Sequence, residues 1–99
     1  MEQVEVFKAL SNKTRLQILG WLKNPEQNFP DQAVYGYDHG VCVSQIQTKA
    51  GLTQSTVSEY LATLQRAGLI KATRAGQWTY YQRNEEAFTA LSQLLQTEI

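Results

Sequence analysis

Apolar residues recur every three positions at Val4, Phe7 and Leu10, and again at Leu16, Leu19 and Leu22. That spacing gathers side chains on one side of a helix, so the pattern predicts two consecutive helices. Ser11 and Asn12 stand between them, residue types that suit a helix cap. Asn24 and Pro25 end the second helix. Residues 25–40, PEQNFPDQAVYGYDHG, hold both prolines and two of the six glycines without helical periodicity, and are expected to form a loop.

Periodicity returns with Val43, Ile46 and Ala50, which share one helical face that ends at Gly51. In the following LTQSTVSEYLATLQRAGLI, Thr53 suits a cap, with Leu52 before it and Val57 after it placed as a hydrophobic staple. Val57, Leu61 and Leu64 form the buried stripe of this helix. Gly68 is expected in the left-handed conformation just past its end, with Leu69 folding back. IKATR and WTYYQR alternate on either side of a glycine-bearing turn, which predicts a β-hairpin with Trp78 and Tyr80 on one side. Asn84, Glu85 and Glu86 open a last helix with Phe88, Leu91 and Leu95 as its apolar stripe.

Four helices, a two-stranded β-wing and a last helix (α-α-α-α-β-β-α) is the order of a winged helix-turn-helix, a mainly α fold. The expectation is one domain over residues 1–99, with a loop insertion at about 25–40. A chain of 99 residues with 42% apolar content is near the lower limit for holding a core unaided, so a partner subunit would help it. The stripes Val4/Phe7/Leu10 and Phe88/Leu91/Leu95 carry more apolar surface than such a monomer readily buries. They are the candidate interface of a homodimer.

Charge changes the picture by its distribution. The net charge is zero, with nine basic and nine acidic side chains. Yet residues 44–83 carry five bases (Lys49, Arg66, Lys71, Arg74, Arg83) against one acid, Glu59, a local +4. Such segregation lets one face approach a phosphate backbone while the rest keeps the molecule soluble. On the helix after Thr53, the groups Gln54, Ser55, Thr56, Ser58, Tyr60 and Thr63 are candidates for DNA contact. They lie on the helix that would enter a major groove, and Gln54 is the best base reader, because its amide can bond an adenine edge through two atoms. Lys49 and the wing residues Arg74 and Gln77 are candidates for phosphate or minor-groove contact. Glu59 fits this set poorly; pairing with a neighbouring arginine is the favoured reading, and acceptance from a cytosine amino group the other.

ALSNKTRLQIL, LTQSTVSEYLATLQRAGLI and GQWTYYQ resemble the ArsR/SmtB family of small bacterial winged-helix repressors, and the resemblance spans nearly the whole chain except residues 25–40. It implies a homodimer joined through the first and last helices, bound to an imperfect inverted repeat in its own promoter and released when an effector binds. A twofold dimer would set its two reading helices one DNA turn apart, roughly 34 Å.

The resemblance also bears on the only cysteine. Arsenic-sensing members carry Cys-Val-Cys-Asp-Leu where this chain has Cys42, Val43, Ser44, Gln45 and Ile46, so the second thiolate is a serine. The other common family site, of Asp, His and Glu on the last helix, lacks its histidine here. Soft metals want several sulfur or nitrogen ligands, so no metal or other cofactor is expected. Three readings of Cys42 stay open: a small buried residue under the reading helix, a thiol switch at a helix start with His39 nearby, or a metal site from Asp38, His39 and Cys42. A small-molecule or oxidant effector is the partner these readings admit.

Other classes recede. One histidine, one cysteine and no glycine-rich phosphate loop assemble no catalytic constellation, so an enzyme is not expected. No apolar run approaches the roughly 18 residues that cross a bilayer. The amino-terminal MEQVEVFKAL has no signal-peptide pattern, and the expected location is cytoplasmic. The rival function is a winged helix that serves as a protein-interaction or RNA-binding module without sequence-specific DNA binding.

Overall fold

The computed structural model describes residues 2–99. Helices α1 (Gln3–Leu10) and α2 (Lys13–Lys23) form where the three-residue period predicts them. Their ends are tied by side chains. Glu2 accepts from the Val4 and Glu5 N–H groups at the start of α1, and Asn12 Oδ1 accepts from the Arg15 N–H at 2.9 Å. The Arg15 guanidinium reaches back to the Ala9 and Lys8 carbonyls at 2.7 and 3.0 Å, among the last acceptors of α1, and the Lys8 carbonyl also takes the Ser11 N–H. Inward faces differ from the simplest stripe, because Val6, Ala9 and Ile18 join Leu19 and Leu22 in the core while Leu16 stays half exposed.

Residues 25–40 are more regular than the expected loop. One turn of helix, α3 (Pro25–Asn28), is followed by a 3-10 turn at Pro30–Gln32, each opened by a proline whose missing N–H would be unpaired there in any case. Phe29 is buried and meets Trp21 edge-on, with ring centroids 6.3 Å apart. Gln32 is 2% exposed, the one buried polar residue of the described chain. Its amide makes three of its four possible bonds: Nε2 donates to the Gly36 and Gly40 carbonyls at 2.9 and 2.8 Å, and Oε1 accepts from the Cys42 N–H at 2.8 Å. The Tyr37 hydroxyl closes the segment by donating to the Phe29 carbonyl at 2.6 Å.

Strand β1 (Val41–Cys42) leads directly into α4 (Val43–Ala50), and Gly51 in the left-handed region turns the chain toward α5 (Gln54–Arg66). Thr53 caps α5 by accepting from the Thr56 N–H at 3.2 Å. Leu52, expected to staple onto Val57, stays exposed. At the other end Gly68 takes φ +80° and the Leu69 N–H returns to the Leu64 carbonyl at 3.0 Å, the bond of a Schellman ending. Strands β2 (Ile70–Ala75) and β3 (Trp78–Arg83) form the hairpin across Gly76-Gln77.

The expected two-stranded wing is β2 and β3, and the sheet adds a third, unexpected strand. β1 pairs antiparallel with β3 on the edge opposite β2, with Val41 against Tyr81 and Cys42 against Tyr80, so the order is β1-β3-β2. A two-residue strand carries too little alternation to be seen in sequence, whereas its ladder partner supplies the missing hydrogen bonds. Helix α6 (Glu85–Thr97) completes the chain. Asn84 opens it without capping it: its Nδ2 donates to the Gly68 carbonyl at 3.0 Å, pinning the start of α6 to the end of α5.

The core brings Val6, Ile18, Leu22, Ile46, Leu61, Leu64 and Leu69 together beneath the α4–α5 pair. Among the residues expected at a dimer interface, Val4 and Leu95 are 58% and 48% exposed, while Phe7, Leu10 and Phe88 are partly buried against the core. Leu91 is corrected: it is 8% exposed and belongs to the interior of the protomer.

Candidate nucleic-acid interface

Helix α5 divides its residues between two faces. Val57, Leu61 and Leu64 are fully buried, which turns the opposite side outward. Ser55, Glu59, Ala62 and Arg66, at spacings of four, three and four, run along the centre of that outward side. Gln54 and Ser58 flank them and are exposed. At the amino-terminal end the hydroxyls form a small network. Thr53 Oγ1 donates to Thr56 Oγ1 at 2.8 Å and lies 3.3 Å from Ser55 Oγ. The cap therefore also orients two candidate contact groups.

Gln54, Ser55, Thr56 and Ser58 are brought together on this end; three other expected residues are not. Tyr60 is half-buried against the core, and the Arg15 guanidinium lies 5.6 Å from its ring centroid, so its ring is part of the packing between α5 and α2. Thr63 faces α1, beside Glu5 and Lys8, where its hydroxyl donates to the Glu59 carbonyl at 3.1 Å and accepts from Arg66 at 3.3 Å. The Lys49 ammonium sits 5.4 Å from the Trp21 ring centroid and 5.9 Å from that of Phe29. Cation–π attraction holds it against α2 and residues 25–40 rather than beside α5.

Basic charge is concentrated further than the sequence count suggests. Arg83 makes a two-pronged ion pair with Glu85 at 3.0 and 3.2 Å and stacks 3.7 Å from the Phe88 ring centroid, so it is neutralised within the protomer. Lys71 and Arg74 stay exposed on the hairpin. Arg74 Nε donates to the Gly76 carbonyl at 3.2 Å, which fixes the guanidinium at the turn beside the exposed Gln77. The middle of β3 is drier: burial raises the pKa of the Tyr81 phenol above its ordinary value.

Cys42 lies away from the underside of α5. It is the residue before α4, half-buried, with its sulfur accepting from Ser44 Oγ at 3.3 Å. With Gln32, Tyr35, Gln45, Trp78 and Tyr80 it lines an open cavity of about 310 Å³ between residues 25–40, α4 and the hairpin. His39 turns toward Tyr80, ring centroids 5.9 Å apart. Among the described residues no three His, Cys, Asp or Glu side chains are placed to hold a metal ion, so Asp38, His39 and Cys42 do not converge. Among the same residues, no helix is long and apolar enough to cross a membrane.

Sequence reasoning missed Gln32, which links this cavity to the backbone of Gly40 and Cys42. A single polar residue in a polar stretch carries no periodic signal.

Comparison with known proteins returns the same architecture. The model of the family described as "Bacterial regulatory protein, arsR family" matches residues 41–72, from β1 into the hairpin. The uncharacterized HTH-type transcriptional regulator YbzH of Bacillus subtilis is 58% identical over the full length of both chains. A solution structure from Mycobacterium bovis, described as the homodimeric winged helix-turn-helix DNA-binding domain of a possible ArsR-family transcriptional regulator, is 33% identical. It covers 96% of this chain and 78% of its own with a TM-score of 0.62. HlyU of Vibrio cholerae, a transcriptional activator, is 29% identical in a structure that covers 94% of this chain and 86% of its own at a TM-score of 0.66.

Proposed function

This chain belongs to the ArsR family of winged helix-turn-helix transcriptional regulators, and we propose that it works as a homodimer that reads an inverted-repeat operator with the amino-terminal half of α5. One observation carries the proposal. Beside its fully buried stripe, the first turns of α5 leave Gln54, Ser55 and Ser58 exposed and Thr56 half-buried and bonded to Thr53, with Lys71 and Arg74 exposed on the hairpin. Short hydrogen-bonding groups there reach base edges, and the hairpin cations meet phosphate.

The test is fluorescence anisotropy of the reduced protein on duplex DNA from upstream of its own gene, over a range of salt. Steeply salt-dependent binding that survives competitor DNA is expected. Gln54→Ala should change sequence preference, whereas Arg74→Ala should weaken binding to all sequences and, with one Arg74 on each protomer, lower the salt slope of the dimer by about two. The reverse pattern would overturn the roles assigned to the two residues. Retention of a protein or RNA partner without specific duplex binding would favour the rival use of the fold.

For the dimer, the proposed contact joins α1 and α6 through Val4, Phe7, Leu10, Phe88 and Leu95. The exposure of Val4 and Leu95 supports it. Val4→Glu combined with Leu95→Glu should give a monomer by sedimentation and abolish tight operator binding. Occlusion of the promoter by such a dimer gives repression. The similarity to HlyU supplies activation as a second reading, and run-off transcription from the bound promoter decides the sign.

Release is proposed to act through the Cys42 side of α4, by an effector or by modification of the thiol. The open cavity beside Cys42, bounded by both α4 and the hairpin, supports that route. Cys42→Ser should bind DNA equally with and without oxidant. The same indifference in the wild type would remove the thiol switch.

A further inference from the structure

Glu59 is the one acid in residues 44–83, and it occupies the centre of the outward side of α5, between Ser55 and Arg66. The sequence favoured an ion pair that would keep it off a ligand. The structure places that pair elsewhere: among the described residues the ion pair is Arg83 with Glu85, while Arg66 donates to Thr63 and Arg74 to the Gly76 carbonyl. The Glu59 carboxylate is exposed and takes part in no side-chain hydrogen bond within the described residues. A free carboxylate at the centre of a DNA-reading face needs an account, because a phosphate would repel it.

The chemistry of the groove narrows the account to one base. A carboxylate only accepts hydrogen bonds, and the major groove offers two kinds of donor, the N4 amino group of cytosine and the N6 amino group of adenine. Adenine sets N7, an acceptor, beside its amino group, and two acceptors face to face repel. Cytosine sets only a C–H there. We propose that Glu59 is a specificity-determining residue that reads a cytosine in each half-site by accepting from its N4 amino group. The proposal rests on the reading that α5 enters the major groove, and it adds what the hydroxyls of that helix cannot supply, since serine and threonine bond either donors or acceptors and discriminate weakly.

The carboxylate also excludes. At a non-cognate site it faces acceptors or phosphates without compensation, so its charge weakens binding there more than at the operator.

The experiment is selection from a randomised duplex library with the wild type, Glu59→Gln and Glu59→Ala at one salt concentration, followed by sequencing. The wild type should enrich a cytosine at one symmetric position of each half-site, preferred roughly tenfold or more, the size of one good base contact. Glu59→Gln should move that position to adenine, because an amide bonds N6 and N7 together. Glu59→Ala should lose preference at that position alone, keep the rest of the motif, and bind random duplex more tightly. The same motif from all three proteins would overturn the proposal while leaving DNA reading intact. If the wild type enriches no motif, the reading of α5 itself fails and Glu59 falls with it. Because the Glu59 side chain makes no bond to the rest of the protomer, all three proteins should fold alike.

Discussion

Residues 25–40 and the α4–α5 pair are both rich in polar side chains, and they use those side chains in opposite directions. In the first, polar atoms turn inward. Gln32 bonds three backbone groups and Tyr37 a fourth, so that a segment with little apolar periodicity is held in one shape. In the second, the apolar stripe with the Thr53 cap holds the helix, and Gln54, Ser55, Ser58 and Glu59 are left for solvent or a ligand. Polarity in a sequence thus says little about where function lies until the fold shows which polar atoms are already bonded. Substitutions in residues 25–40 should act on stability and those on the outward side of α5 on recognition.

The largest effect is expected at Gly40. Its φ of +101° is strained for any other residue, and a Cβ there would lie 2.3 Å from the Tyr81 carbonyl oxygen, which is fixed in the β3 ladder. Gly40→Ala should cost about 3 kcal/mol or more, or prevent folding. Urea unfolding at fixed protein concentration measures it, since a dimer's stability depends on concentration. A loss below about 1 kcal/mol would mean that residues 37–41 move aside easily and that the inward bonds of residues 25–40 do not hold one shape.

Gln32→Ala comes next. It leaves the Gly36 and Gly40 carbonyls and the Cys42 N–H without their partner. Unsatisfied buried groups cost about 1–3 kcal/mol each, and water in the adjoining cavity can replace part of the loss, so about 2–3 kcal/mol is expected in total. At temperatures where the variant is folded, its operator affinity should match the wild type. A changed affinity would show that residues 25–40 also set the position of α4, joining the two regions that this comparison separates.

How much of this was legible follows from the same physics. Helices α1, α2, α4, α5 and α6 and the hairpin carry periods of three to four or of two over six or more residues, and the endings at Gly51, Gly68 and Thr53 carry specific local chemistry. All of these could be read. β1 is two residues long and exists through its pairing with β3, so nothing local announces it. Gln32 and Asn84 are ordinary polar residues in polar stretches until the fold sets carbonyl groups beside them. Within the candidate interface, the placing of Gln54, Ser55, Thr56 and Ser58 together followed from their crowding into the first turn and a half of α5. Tyr60, Thr63 and Lys49 did not, because helical spacing says which residues share a face but not what a neighbouring element lays over it. Here α1, α2 and Phe29 do so.

The smallest stability effect is expected at Thr53, where inward bonding and DNA contact meet. Thr53 belongs to the reading unit, yet its hydroxyl is bonded inward as a cap, to the Thr56 N–H and the Thr56 hydroxyl. Thr53→Ala removes both bonds and should cost about 1 kcal/mol, read as a lowered urea midpoint with an unchanged slope. Thr53→Ser keeps the oxygen and should cost less. Binding provides the sharper readout. If the cap only stabilises α5, Thr53→Ala at full folding should bind the operator as the wild type does. If the cap also orients Ser55 and Thr56 for DNA, affinity should fall at full folding and recover in Thr53→Ser, because serine restores the hydroxyl without the methyl group. The second outcome is expected, since freeing the first turn of α5 makes its contact groups pay their ordering entropy on binding rather than on folding.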